Sequence, residues 1–100
     1  MTPLEQYAAP EILRHRFREL DLLGQLARGE IEAEVDDEYD APLSAGQPHG
    51  TKSQRVIYSR GGEQIAIVHQ YLLPDGRIGA SGLPDPKWLR DGDTILKYRA

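Results

Sequence analysis

At 100 residues the chain is one domain's worth of polypeptide, expected as a single domain over 1–100, and its lack of cysteine excludes disulfides, thiolate metal sites and a cysteine nucleophile. A net charge of −4 with 28% charged and 39% hydrophobic residues fits an ordinary globular domain and argues against a large phosphate-neutralising surface. No apolar run approaches a bilayer span, and Met1-Thr2-Pro3-Leu4-Glu5 has neither part of a secretory signal, so no membrane contact and a cytoplasmic location are expected.

Residues 1–9 read as a lead-in with at most a turn of helix. Pro10 suits a first helical position, and Glu11 the positive end of the helix dipole. From there to Arg28 the spacing predicts one amphipathic helix, with Leu13, Phe17, Leu20, Leu23 and Ala27 on a face widened by Ile12, Leu22 and Leu26. Gly29 stops it. Gly24 costs about 1 kcal/mol in a helix interior, which suggests that a strand or partner helix comes close there. Arg14, His15, Arg16 and Arg18 form a basic patch on the solvated side.

Residues 30–36 change to period two, and the prediction is a strand with an acidic outer face; extending the helix to about Val35 is the competing reading. Seven carboxylates fall between residues 30 and 40, while all 12 Lys and Arg lie outside that stretch. Residues 37–53, with Pro42, Gly46, Pro48 and Gly50, read as a long irregular segment, ordered near Tyr39 and flexible over 41–53.

Gln54 to Arg60 is expected as a strand, Arg60-Gly61-Gly62-Glu63 as a hairpin turn and Gln64 to Leu73 as the returning strand. Ile65, Ile67, His69 and Tyr71 then share one face, and Ala66, Val68, Gln70 and Leu72 the other. Pro74-Asp75-Gly76-Arg77 reads as a tight turn, Ile78 to Ala80 as a short strand, Lys87 to Arg90 as a helical turn and Thr94 to Arg99 as a last strand. The fold class is therefore α+β, with one N-terminal amphipathic helix packed on an antiparallel meander of three to five strands.

Chemistry concentrates between Gln64 and Leu89. His69 is the candidate general base, with Tyr71 as support and Arg77 and Lys87 as phosphate ligands, the set a metal-independent ribonuclease would use. A half-buried structural histidine is the commoner role for such a residue. An exposed His69 near Arg77 or Lys87 in a concave pocket would favour the enzyme, and burial against Ile67 a binding module. Gly79-Ala80-Ser81-Gly82 has the composition of an anion-binding nest around Ser81, though a bulge and turn explain it as well. Asp75 and Asp85 are expected in turn and capping roles, and Trp88 beneath the double-proline turn. The three histidines have no zinc spacing, so no metal site and no cofactor are expected. Glu32, Glu34 and Asp36 could mimic phosphates against a basic partner, as in an antitoxin or immunity protein, or merely protect an edge strand. The helix patch could equally neutralise that acidic strip.

No catalytic motif is present. The favoured expectation is a small binding or accessory protein that contacts a protein partner or a second copy of itself, with nucleic acid not favoured. Its surface would join the 37–53 loop to the 75–88 turns and use Tyr39, Ser81, Asp85 and Trp88.

Overall fold

The structure, a computed structural model, describes residues 2–99; the ends of the expected domain, Met1 and Ala100, lie outside the described residues. Eight elements run as β1 (Leu4–Ala8), α1 (Pro10–Glu19), α2 (Leu22–Ala27), β2 (Glu32–Asp40), β3 (Lys52–Arg60), β4 (Glu63–Leu72), β5 (Asp85–Asp91) and β6 (Thr94–Tyr98), with one 3-10 turn at Leu43–Ala45. The strands form a six-stranded sheet in the order β1-β6-β5-β4-β3-β2. Every pair is antiparallel except β1 with β6, which is parallel.

The α+β class holds, but the sheet is mixed and larger than three to five strands, and the helical region follows a strand. Residues 4–8, expected as a lead-in, are β1: the Leu4 N–H donates to Asp93 O, and the Arg99 N–H donates to Ala8 O. The single helix over 10–28 is two helices. Asp21 breaks it with a left-handed φ of 51°, and the Gln25 side chain bonds the freed Leu20 carbonyl. This also corrects the reading of Gly24. The atoms nearest a Cβ there belong not to a strand or partner helix but to the Asp21 carboxylate, at 2.3 Å.

The strand expected over 30–36 begins at Glu32 and runs on to Asp40, so the irregular connection shrinks to residues 41–51. It is closed at its base by the Ala41 N–H donating to Thr51 O at 3.0 Å. The glycine pair at 61–62 makes the predicted hairpin turn between β3 and β4, both glycines having positive φ. The short strand expected at 78–80 reduces to a single bridge between Leu72 and Ile78. The helical turn expected at Lys87–Arg90 is instead the middle of β5. Pro86 can sit there because Lys87 is an unpaired bulge residue, Val68 facing Pro86 and Ile67 facing Trp88.

Leu13 and Phe17 of α1 and Leu22 of α2 are buried in one cluster with Val56, Tyr58, Ala66, Val68, Leu89 and Leu96 of the sheet. Fully burying an aliphatic or Phe side chain contributes about 1.5–3 kcal/mol each. Ile12 and Leu23, assigned to the apolar helical stripe, are exposed. The sheet members are register partners, Val56 with Val68, Tyr58 with Ala66, Ala66 with Leu89 and Leu89 with Leu96, so this cluster covers one face of the sheet. Trp88 is not in it. Its partners Ile67 and Lys97 place it on the opposite face, which corrects its expected position beneath the double-proline turn.

Candidate functional site

Two concave regions flank His69. The register of the β3–β4 hairpin builds the first. Arg55 lies opposite His69, Ser53 opposite Tyr71 and Ile57 opposite Ile67, all on the helix-free face. β2 extends this face with Asp37 opposite Arg55 and Tyr39 opposite Ser53. Of these, Asp37, Tyr39, Arg55, Ile67 and His69, together with Lys87 and Trp88, line a shallow hollow of about 390 Å³. Ser53 is buried, and its Oγ shares a hydrogen bond of 2.6 Å with His69 Nε2, its direction set by the imidazole tautomer. The Tyr71 ring meets the imidazole edge-on at a centroid distance of 4.7 Å.

Burial pushes the His69 pKa below its ordinary value, the nearby Lys87 ammonium adds to the fall, and Asp85 opposes it. The imidazole is therefore neutral at physiological pH, as a general base or a buried hydrogen-bonding residue would each require. Two features weaken the first role. The hydroxyl on Nε2 belongs to a buried serine, and Arg55 is engaged with Asp36 at 3.5 Å.

The second region lies where α1 meets the segment between β4 and β5, a cavity of about 610 Å³. Residues 73–79 turn back on β4: the Leu73 N–H donates to Arg77 O and the Gly79 N–H to Tyr71 O. Gly79 lets the segment come close here: a Cβ would lie 2.6 Å from Gln47 Oε1 and 2.9 Å from Leu73 Cδ2 and would displace both side-chain ends. The Ala80 N–H donates to Gln47 Oε1 at 3.3 Å, so the 41–51 loop does touch the 75–88 region.

Asp85 anchors the wall. Its carboxylate accepts from Arg14 Nε and from Lys87 Nζ, each at 3.0 Å. Partial burial pushes this carboxyl up, but the two cationic hydrogen bonds outweigh burial and hold it below the usual carboxylate range. The ion pair to α1 replaces the expected cap of a helical turn. Lys87 Nζ also sits 4.2 Å from the centroid of the Tyr98 ring.

The predicted site residues thus divide. His69, Tyr71, Ser81 and Asp85 line the helix-side cavity; Tyr39, Trp88 and Lys87 line the helix-free hollow, which His69 also borders. Arg77 borders neither. Its side chain pairs with Asp75, whose other oxygen accepts the Arg77 N–H, a local turn in which Asp75 takes the structural role expected of it. Glu32, Glu34 and Asp36 lie along β2, away from both regions except through Asp37 and Tyr39. The basic patch does not neutralise that strip: Arg14 pairs with Asp85, and Arg16 with Asp91 and Glu19. Among the described residues no group of three or more His, Asp or Glu is placed to hold a metal ion.

Ser53, Arg55 and Gln70 were not singled out from the sequence. The hairpin turn pairs Arg60 with Glu63, and this register continued unbroken would set Gln54 opposite His69. A bulge at Ile65 shifts it by one, bringing Ser53 and Arg55 to the His69 face and Gln54 to Gln70. No family model matches the chain, and neither curated proteins nor solved structures give a match.

Proposed function

We propose that this chain is a small binding or accessory protein that acts through protein contacts, with β2 as its docking edge and a basic extended segment as the partner. One observation carries the reading. β2 is a nine-residue strand at the end of the sheet, exposed at every position and paired only with β3. Its outer row of backbone N–H and C=O groups is a template for an added strand.

Charge selects the partner. Asp40 is held by Lys52, Asp36 by Arg55 and Glu38 by the Gln54 amide, whereas Glu32, Glu34 and Asp37 have no ion pair among the described residues. Pairing two copies through β2 would set carboxylates against carboxylates, which is destabilising. A Lys- or Arg-rich strand satisfies both the backbone and the charges, the arrangement of an antitoxin or immunity protein on a basic target. Val35 and Tyr39, both exposed, supply apolar contacts on opposite faces of the same strand.

The test is affinity capture from native lysate at low and moderate salt, with wild type beside a Glu32→Gln, Glu34→Gln, Asp37→Asn variant. A stoichiometric protein held by wild type, and lost both with salt and in the variant, is the expected result. A partner held equally by both proteins would remove β2 from the reading. RNA recovered without protein would favour the alternative, a ribonuclease centred on His69, and make His69→Ala the next variant.

A further inference from the structure

We infer that the cavity between α1 and the 79–86 segment binds a heteroaromatic organic anion of mononucleotide size, its anionic group on Arg18 and its ring edge on Gln70. The site does not depend on the β2 reading. Its volume of about 610 Å³ falls within the range of small-ligand pockets, roughly 300–1,000 Å³. Much of its wall is apolar, with Phe17, Leu23, Leu83 and Pro84 contributed by three different segments. Leu23 and Leu83 remain 36% and 50% exposed, apolar surface that a flat ligand would cover.

Arg14 and Arg18 stand one turn apart on α1 and both border the cavity. The Arg14 charge is matched by Asp85. The Arg18 side chain has neither an ion pair nor a hydrogen bond among the described residues, although that of its neighbour Arg16 has both. It is the cation left over at this opening.

The polar end is set by a ladder across three strands. Glu38 can only accept, so Gln54 must donate its amide nitrogen there, at 2.6 Å. Gln54 Oε1 then accepts from Gln70 Nε2 at 2.8 Å. With its nitrogen committed, Gln70 has its carbonyl oxygen left, and no donor among the described residues reaches that oxygen. The ligand must therefore bring a negative charge, a flat apolar body and a ring N–H or amino donor. A nucleoside monophosphate has all three. Inorganic phosphate lacks the body, and ribose 5-phosphate lacks the donor ring.

The experiment is a titration of ¹⁵N-labelled protein with AMP, GMP, CMP and UMP, and with ribose 5-phosphate and inorganic phosphate as controls. At least one nucleotide should give saturable shifts at the Gly79, Ser81 and Leu83 amides and the Gln70 side chain. Arg18→Gln should weaken that binding roughly tenfold, about 1.4 kcal/mol, with thermal stability unchanged. Leu83→Asp, at an exposed wall position, should weaken it as well by repelling the anion. No saturable shift with any nucleotide up to millimolar concentration would overturn the inference. So would equal binding of ribose 5-phosphate or phosphate, or nucleotide binding indifferent to both variants.

Discussion

The two faces of the sheet solve different problems with the same strands. On the helix-covered face Val56, Tyr58, Ala66, Val68, Leu89 and Leu96 meet Leu13, Phe17 and Leu22, and the fold closes on apolar surface. On the bare face the alternate residues are Ser53, Arg55, His69, Tyr71 and Trp88: buried Ser53 hydrogen-bonds His69, the Tyr71 ring meets the imidazole edge-on, and exposed Arg55 pairs with Asp36. The difference teaches where stability and recognition reside. The covered face closes on apolar packing except at its open end, where Gln70, bonded to Gln54, borders the helix-side cavity. The bare face holds Tyr39, His69, Tyr71 and Trp88 but little of the core.

The largest expected effect tests that division directly. Phe17→Ala removes a side chain only 4% exposed and should cost about 3–5 kcal/mol in urea unfolding. Trp88→Ala removes a larger side chain from the bare face and should cost less than half as much. Equal losses would mean that the bare face is a second core.

A smaller effect is expected at the rim where the faces meet. Gly79→Ala drives a methyl into Gln47 and Leu73 and should cost about 1–3 kcal/mol. One position on, Ala80 holds a left-handed φ of 53°. An L-residue pays about 1–2 kcal/mol for that conformation, so Ala80→Gly should raise stability slightly despite the greater freedom glycine gives the unfolded chain. Opposite signs at adjacent positions in thermal melts would confirm how the segment over the cavity is held.

A third effect distinguishes the faces by pH. The pKa of His69 is depressed in the fold, so the folded protein binds fewer protons than the unfolded chain around and below the ordinary histidine value of about 6.5. Its contribution is complete above that value and is lost as pH falls through the folded pKa. Stability measured from pH 7.5 to 5 should therefore decline in wild type and decline less in His69→Gln. Identical profiles would show that the imidazole is as hydrated in the fold as out of it.

The sequence carried the elements whose signals are local. Period two marked the first part of β2 and the interior of β4, the glycine pair at 61–62 marked the hairpin, and Leu13 and Phe17 marked the buried side of α1. It did not carry features set by distant partners. β1 is five residues with only Ala8 buried, and it becomes a strand because β6 lies beside it, some ninety residues later. Asp21 breaks the helix inside an unbroken apolar rhythm. Pro84 and Pro86 argued for a turn, yet Pro86 is buried in β5 because a bulge removes the need for its N–H. The grouping around His69 depended on the Ile65 bulge, which has no glycine or proline to announce it. His69, Asp85 and Trp88 were legible as candidates; their division between two hollows was not.

The smallest effect concerns two neighbouring hydroxyls in the same buried stretch. Thr51 and Ser53 are each 2% exposed. Ser53 Oγ is hydrogen-bonded to His69, whereas Thr51 Oγ1 has no hydrogen-bond partner among the described residues. An unsatisfied buried hydroxyl costs about 1–3 kcal/mol, while a typical satisfied one contributes about 1 kcal/mol. Thr51→Val keeps the shape and removes the orphan, so stability should rise by roughly 1 kcal/mol. Ser53→Ala should lower it by a similar amount and loosen the His69 ring, visible as sharper pH dependence of its imidazole resonances. A loss of stability in Thr51→Val would mean that a bound water satisfies the hydroxyl in solution. The polar edge of the sheet would then be as fully paired as its apolar face is packed, and the contrast between the two faces would lie in chemistry alone.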